Sequence, residues 1–203
     1  MAMPSYYSAP FADVQSYMQC CEAPDLDAIR PPECQHCCGH TVLHSHGKYT
    51  RRVWSEEQEW RLPVFRFICA KPECKRTCSV LPSFVGRYER FSWDAQESVC
   101  TKVDEQHTLE EGSIPAPVGP LSARTVWRWV KRWRTYMDEL EERFWQFVIS
   151  LHPAVYIPRG QARPARRLRY WQSIWAQLTP KKVNVGLFHG LYHLRQSSAR
   201  VAG

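Results

Sequence analysis

Apolar side chains recur every three or four residues between positions 122 and 151, which is the spacing of one face of an α-helix. The pattern predicts one amphipathic helix of about 28 residues, roughly 40 Å long. Ser122 is placed to cap its first turn, because a serine oxygen can accept a backbone N–H there. The predicted core stripe consists of Val126, Trp129, Val130, Trp133, Met137, Leu140, Phe144, Phe147 and Leu151.

A shorter helix is predicted before this one, over residues 92–107, with Trp93, Val99 and Val103 on one face. The stretch 113–120 that separates the two helices contains three prolines and a glycine. Proline removes a backbone donor and clashes with the preceding turn, so we expect no more than one helical turn in this stretch.

Two strands are predicted earlier in the chain. The segments 48–54 and 60–68 are rich in aromatic and β-branched residues, which favour extended structure. The polar link 55–59 between them has the composition of a hairpin turn. We therefore expect a β-hairpin.

The positions of the cysteines indicate that the hairpin belongs to a metal-dependent module. All nine lie before residue 101, and in a cytosolic chain such a cluster more often binds metal than forms disulfides. Cys34 and Cys37 precede the hairpin, and Cys69 and Cys74 follow it. Four thiolates bind tetrahedral Zn²⁺ without an open position, which is typical of a structural site. The sequence therefore predicts a zinc ribbon, two metal-binding turns joined by a hairpin, over residues 31–84.

Several nearby side chains are alternatives to these ligands. Cys38 could replace Cys37, and Cys78 could replace Cys74. Histidines beside a zinc site more often donate hydrogen bonds or lie at the surface than bind the ion. We expect this of His36, His40, His44 and His46. The remaining cysteines, which we expect to be unpaired and structurally neutral, are Cys20, Cys21 and Cys100. If no metal binds, the whole set consists of free buried thiols.

Together these elements predict an α+β protein, in which a small zinc-ribbon β-hairpin module is followed by a mainly helical, helix-turn-helix-like segment with one long helix. We expect four parts along the chain. They are an N-terminal segment at 1–30, the zinc ribbon at 31–84, the helical region at 85–152 and a basic segment at 153–203.

Positive charge is concentrated in the last of these parts. Of 27 Lys and Arg residues, nine lie between Pro158 and Gly203, where there is no Asp or Glu, leaving 18 basic against 20 acidic residues elsewhere. Such a segment favours a polyanionic partner, usually nucleic acid. A basic amphipathic helix is predicted over 165–178, with Leu168, Trp171, Ile174, Trp175 and Leu178 on its apolar face. Its candidate contacts to the DNA backbone are Arg166, Arg167 and Arg169. Packing of this helix against its own domain is an equal alternative, and binding to a membrane surface is a weaker one.

The long predicted helix also divides by charge. Its first half carries five basic residues and no acid, whereas its second half carries four acids. The basic half could lie in a DNA major groove, with one set of side chains toward the bases and another toward phosphates. The base-facing set is Arg124, Thr125 and Arg128, and the phosphate-facing set includes Lys131 and Arg132. The alternative is an ordinary solvated helix face.

Other classes of protein are not expected. No apolar run approaches roughly 18 residues, so we predict no transmembrane helix and no membrane partner. The N-terminus lacks the basic start and apolar stretch of a secretory signal, which favours a cytoplasmic protein. There is no phosphate-binding loop, nucleophile elbow or His-Glu-x-x-His motif, and no acid follows Glu142, so we expect no catalysis. The pair His189 and His193 is interpreted as incidental.

Several of these motifs, taken in order, resemble a known pattern. Besides Cys34-x2-Cys37, they are His46–Arg51, Cys74–Phe84, Tyr88–Ser92 and Leu121–Trp129. The chain resembles a bacterial family of uncharacterised, mobile-element-associated zinc-ribbon plus helix-turn-helix proteins, similar to the N-terminal DNA-binding regions of insertion-sequence transposases. The resemblance covers residues 31–135 and implies Zn²⁺ and double-stranded DNA as ligands.

The sequence thus predicts a zinc-stabilised DNA-binding protein, transposon-associated or regulatory, that lies in the cytoplasm with the nucleoid. A transposase or another protein partner, and a homodimer, are compatible with this interpretation. The rival hypothesis is a zinc-scaffolded protein–protein adaptor that docks through its long Trp-rich helix.

Overall fold

The computed structural model describes residues 5–9, 11, 13–37, 42–106, 121–155, 167–178 and 185–201. The chain forms two compact units, Met1–Ser92 and Trp93–Gly203. Among the described residues every strand lies in the first unit, and the second contains helices only. The predicted α+β class, with a small sheet module before a helical region, is confirmed.

A four-stranded sheet forms the centre of the first unit. Strands β2, Leu43–Trp54, and β3, Glu59–Cys69, are the predicted hairpin, although each extends beyond its predicted bounds. Strand β4, Thr77–Pro82, pairs antiparallel with β3, and β1, Ser5–Ala9, pairs parallel with β4. The order across the sheet is β1-β4-β3-β2, which leaves β2 at one edge.

Two short helices, α1 at Val14–Glu22 and α2 at Leu26–Ile29, pack the N-terminal part of the chain onto this sheet. The buried Tyr17 of α1 donates its hydroxyl to the carbonyl of Pro63 in β3. Burial raises the pKa of this hydroxyl well above its usual value, so it stays protonated as a donor. Residues 1–30 therefore belong to the first unit and do not form a separate segment.

The boundary between the units lies after Ser92 and not at the predicted position after residue 84. The chain beyond residue 84 first returns to the edge of β2. There the N–H of Trp54 donates to the carbonyl of Arg90 at 2.7 Å, and the N–H of Ser92 donates to the carbonyl of Trp54 at 2.9 Å. These backbone bonds hold residues 85–92 against the sheet.

The second unit consists of helices in its described residues. They are α3 at Trp93–Gln106, α4 at Ala123–Glu139, α5 at Glu141–Leu151, α6 at Arg167–Leu178 and α7 at Leu187–Val201. Aromatic rings fill its core: Trp133 stacks on Phe188 with centroids 3.8 Å apart, and Phe144 stacks on Trp171 at 4.0 Å. The chain after residue 152, predicted as a separate basic segment, thus contributes α6 and α7 to this core.

The predicted apolar stripes are confirmed. All the predicted positions in α4 through α5 are buried except Phe147 and Leu151, which are half-buried, and all five positions in α6 are buried. Ser122 caps α4 by accepting the N–H of Thr125. The proline-rich stretch 113–120 lies outside the described residues. None of the described helices is long and apolar enough to cross a bilayer.

The structure corrects the prediction of one continuous helix over residues 122–151. The helix is divided at Leu140, whose φ of −105° and ψ of 5° depart from helical values. Arg167 of α6 donates to the carbonyl of Met137 at 2.7 Å. In an uninterrupted helix this carbonyl would accept the N–H of Glu141. The side-chain donor therefore stabilises the break.

Gly190 of α7 lies directly against the indole of Trp175. A Cβ at this position would stand 2.2 Å from Cζ2 and Cη2 of that ring, well inside van der Waals contact. We expect Gly190→Ala to lower the free energy of unfolding by about 1–3 kcal/mol, the usual cost of overpacking a core. Urea unfolding of the purified variant checks this value.

A double-mutant cycle isolates this contact. Trp175→Phe removes the two clashing atoms, so Gly190→Ala should cost clearly less in that background than in the wild-type chain. An equal cost in both backgrounds would show that the indole is not the obstacle.

Candidate metal centre

The first candidate metal-binding turn follows α2 and contains Cys34 and Cys37. The Cys34 sulfur accepts hydrogen bonds from the backbone N–H groups of His36 and Cys37, two and three residues further along. A turn that aims its N–H groups at its own sulfur stabilises the thiolate form of that sulfur. His36 thus contributes its backbone N–H to the turn as a hydrogen-bond donor to the Cys34 sulfur.

The second turn connects β3 to β4. Cys69 is the last residue of β3, and its sulfur accepts the N–H of Lys71, while that of Cys74 accepts the N–H of Arg76. The N–H of Cys69 donates to the carbonyl of Arg76 at 3.0 Å and closes the turn. Both turns therefore present sulfurs surrounded by backbone donors.

The four sulfurs meet at one point. All lie within 4.8 Å of one another. Across the two turns, Cys34 Sγ lies 3.7 Å from Cys74 Sγ, and Cys37 Sγ lies 3.8 Å from Cys69 Sγ. A tetrahedral ion with sulfur ligands at about 2.3 Å requires ligand separations of about 3.8 Å. The predicted residues Cys34, Cys37, Cys69 and Cys74 can thus hold a metal ion.

The electrostatics of the cluster also favour a cation. Burial raises the pKa of the Cys34 thiol, but the backbone and thiol hydrogen bonds around it outweigh burial and lower the pKa to about 7. At Cys69, burial and the neighbouring sulfurs raise the pKa to about 11. Crowding four thiolates in a buried space is costly without a positive charge, and a divalent ion among them supplies it.

The alternative ligands do not join this group where the structure describes them. Cys78 is buried in β4, and its sulfur lies 3.8 Å from the carbonyl oxygen of Ser79. The imidazoles of His36, His44 and His46 are not among the clustered donors. Cys38 and His40 lie outside the described residues.

Three of the α4 residues predicted to contact DNA are exposed. They are Arg124, Arg128 and Lys131. Thr125 is half-buried and belongs to the helix cap: its N–H donates to Ser122 Oγ, and its hydroxyl accepts from Arg128 at 3.3 Å.

Arg132 has a different environment. Its guanidinium donates to Oε1 of Gln96, a completely buried side chain of α3. The indole N–H of Trp133 donates to the same oxygen at 3.4 Å. Arg132 thus satisfies a buried polar group, and its replacement is expected to weaken the second unit as well as any DNA contact.

The C-terminal candidates are engaged within their own unit. Arg167 is 16% exposed and forms ion pairs with an acid of α4 and an acid of α5, so its guanidinium is part of the packing between helices. Arg169 pairs with Glu105 but remains 54% exposed. Arg166 lies outside the described residues.

The histidine pair interpreted as incidental comes together in α7. The Nε2 atoms of His189 and His193 are 2.9 Å apart, and burial lowers the pKa of His193. Among the described residues no third His, Cys, Asp or Glu joins them in a group that could hold a metal.

A family model matches the middle of the chain. It is described as "Domain of unknown function (DUF6431)" and covers residues 34–129, from the first clustered cysteine into α4. No curated protein and no solved structure matches the chain. The matched region contains all four clustered cysteines together with Arg124 and Arg128.

A set of basic and aromatic residues in the first unit was not predicted to form a site. Arg51, Arg87 and Tyr88 line a cleft beside the edge of β2. Two features of the sequence could have pointed to this cleft: the adjacent arginines 51–52 and the Arg-Tyr-Glu-Arg run at 87–90. Nothing in their spacing indicates that the two runs meet.

Replacing one ligand separates metal binding from general packing. We expect Cys69→Ser to lose the bound ion and to unfold the hairpin module, because three thiolates and a hydroxyl hold the ion poorly. Metal content by atomic absorption and far-UV circular dichroism measure the two effects. The matched control is Cys78→Ser, a buried cysteine of the same unit, which should keep both metal and fold. Loss of metal in the control alone would reverse the ligand assignment.

Lys75 follows the fourth ligand with φ of +43°, a left-handed conformation that favours glycine. We expect Lys75→Gly to stabilise the metal-loaded protein by about 0.5–1 kcal/mol, since relief of the backbone cost exceeds the added freedom of the unfolded chain. The neighbouring Arg76→Gly, where no left-handed conformation is relieved, should destabilise it. Thermal unfolding compares the two variants, and a loss of stability in both would contradict the argument.

Proposed function

We propose that this protein is a zinc-stabilised DNA-binding protein without catalysis of its own, and that α4 is its main contact to double-stranded DNA. The observation that carries the proposal is a row of exposed side chains on α4, called here the α4 basic row. It consists of Arg124, Trp127, Arg128 and Lys131.

The positions of these four residues place them on a single face. They follow the spacing i, i+3, i+4 and i+7, so at about 100° per residue they form one stripe along the helix. The buried stripe that includes Val130 and Trp133 lies on the opposite side. A helix that packs by one face and presents arginines on the other has the arrangement needed to enter a major groove.

The ion pairs of the second unit leave this row uncompensated. Acids of α3 to α5 pair with other arginines: Asp104 with Arg134, Glu105 with Arg169, Glu139 with Arg195, and Asp138 and Glu141 with Arg167. Within the described part of the chain, Arg124, Arg128 and Lys131 have no ion pair. Their charges are therefore available to phosphates, and release of counterions from DNA would drive binding.

Trp127 adds an aromatic surface to the row. Its side chain is 51% exposed, whereas Trp129 and Trp133 of the same helix are buried. An exposed tryptophan between arginines can contact sugars and the methyl groups of thymine while the guanidinium groups bind phosphate or guanine. The row thus supports both affinity and sequence preference.

Zinc is the metal that best suits the cluster. Four thiolates at tetrahedral spacing satisfy its preferred geometry and leave no position for a substrate or water. The ion would hold the two turns of the first unit together, which supports a structural rather than a catalytic role. Transposon-associated or regulatory activity, and association with the nucleoid, are the roles that we propose for such DNA binding.

The adaptor hypothesis receives less support. It requires the Trp-rich face of α4 to dock on a partner, but Trp129 and Trp133 pack inside their own unit. Only Trp127 of the three remains exposed, which is too small an apolar surface for a stable protein interface.

The test is binding of fluorescein-labelled duplex DNA to the zinc-loaded protein, followed by anisotropy at several salt concentrations. We expect the triple variant Arg124→Gln, Arg128→Gln, Lys131→Gln to bind at least about tenfold more weakly. Its slope of log K against log salt should be shallower by about 2–3, because each lost phosphate contact removes about 0.9.

A matched triple variant controls for net charge. Lys102→Gln, Arg143→Gln and Arg195→Gln remove the same charge from other faces of the second unit and should change affinity little. Equal weakening by both triple variants would reduce the effect to overall charge. Absence of duplex binding by the wild-type protein at low salt would reject the proposed function.

A further inference from the structure

A cleft of about 810 Å³ lies beside the outer edge of β2 in the first unit, and none of the four clustered cysteines lines it. One wall is β2 itself, and the other is the segment 86–91, which returns to β2 at Trp54. We call it the arginine cleft. The side chains that matter for its chemistry are Arg52, Arg87, Arg90, Tyr49, Trp54 and Tyr88.

The cleft is held open by Arg51. Its guanidinium crosses from β2 and donates to the carbonyls of Gly86, at 3.1 Å, and Glu89. These bonds fix the second wall at a defined distance from the strand. Arg51 is therefore a positioning residue for the cleft.

The edge of β2 adds backbone groups to the cleft. The N–H and the carbonyl of Trp54 both bond to the segment 86–92, so they point away from β3. Because peptide groups alternate in direction along a strand, those of Thr50 and Arg52 point to the same outer edge. Pro63, which has no N–H, pairs with Thr50 and agrees with this register.

Charge and aromatic surface coincide in the cleft. Its lining carries four arginines against one acid, Glu59, and the pair between Arg52 and Glu59 is loose at 3.9 Å with Arg52 69% exposed. Tyr88 is 68% exposed and Tyr49 37%, although large aromatic rings are usually covered. The guanidinium of Arg87 lies over the ring of Tyr88, 5.0 Å from its centre.

We propose that the arginine cleft binds an unpaired nucleotide, the phosphate by its arginines and the base by stacking on Tyr88. Guanidinium groups next to exposed aromatic rings are what single-stranded nucleic-acid sites use, because every base has a face to stack and every linkage a charge to bind. The α4 basic row is proposed to bind duplex DNA, and its one exposed aromatic ring is that of Trp127. This second site therefore goes beyond the proposed function and does not depend on it.

The test uses the full zinc-loaded chain and a fluorescein-labelled oligothymidylate of about twelve nucleotides, a length within the usual site size of single-strand binders. We expect Tyr88→Leu to weaken binding by about tenfold, as loss of one stacked base usually does. Tyr88→Phe keeps the ring and should keep most of the affinity. The double variant Arg52→Gln, Arg90→Gln should weaken binding at least as much as Tyr88→Leu and flatten its salt dependence.

Two controls assign the effect to the cleft. Arg76→Gln removes an exposed arginine of the same unit outside the cleft and should leave oligothymidylate affinity unchanged. The triple variant of the α4 basic row should lose duplex binding and retain oligothymidylate binding. Metal content and circular dichroism confirm that each variant is folded.

Competition distinguishes the two sources of this ligand chemistry. Displacement of the probe by thymidine monophosphate would indicate a free nucleotide as ligand, whereas displacement by unlabelled oligothymidylate alone would indicate a strand; both support the cleft. Wild-type affinity in Tyr88→Leu and in the double arginine variant would overturn the proposal. Equal losses in Arg76→Gln, or loss of oligothymidylate binding in the α4 variant, would also overturn it.

Discussion

The convergence of four cysteine sulfurs is the constraint on which the first unit depends. Cys34 and Cys69 are at once members of this cluster and of the apolar core that contains Leu43 and Phe67. A four-stranded sheet with two short helices has a small core, so a bound ion would add to its stability. When the same side chains supply ligands and core, metal binding and hydrophobic burial become one cooperative event.

The second unit has an aromatic core that is surrounded by many arginines. Five of the eight acids in its described residues form ion pairs with arginines of other helices, and Arg167 also donates to the carbonyl of Met137 at the break near Leu140. Such partly buried pairs position helices more than they add stability. Among the exposed cations of the described residues, Arg124, Arg128 and Lys131 lie together on one face of α4 without an ion pair.

The features that the sequence predicted correctly are those set by residues close together in the chain. The 3.6-residue period identified the buried faces of α4 to α6, and the paired cysteines identified the four side chains that come together, because each signal lies within a short stretch. The break at Leu140 depends on Arg167, whose bond to Met137 spans 30 residues, and the cleft depends on Arg51 reaching a turn 35 residues away. The spacing of the cysteines left Cys74 and Cys78 as alternative ligands. The structure distinguishes them, because Cys78 is buried within β4 and Cys74 lies with the other three sulfurs. Long-range contacts of this kind have no periodic signature in the chain.

The parallel pairing of β1 with β4 has a consequence for the order of assembly. Ser5 lies beside Cys78 in the completed sheet, so β1, which precedes the other three strands of the sheet, can pair only after β4 has been synthesised. The β2–β3 hairpin needs only neighbouring residues and can form earlier. During synthesis the hairpin is therefore expected to form first, and β4 and β1 then add to it and complete the sheet. A tag or fusion placed before Ser5 would act on this final step of folding and leave the hairpin itself untouched.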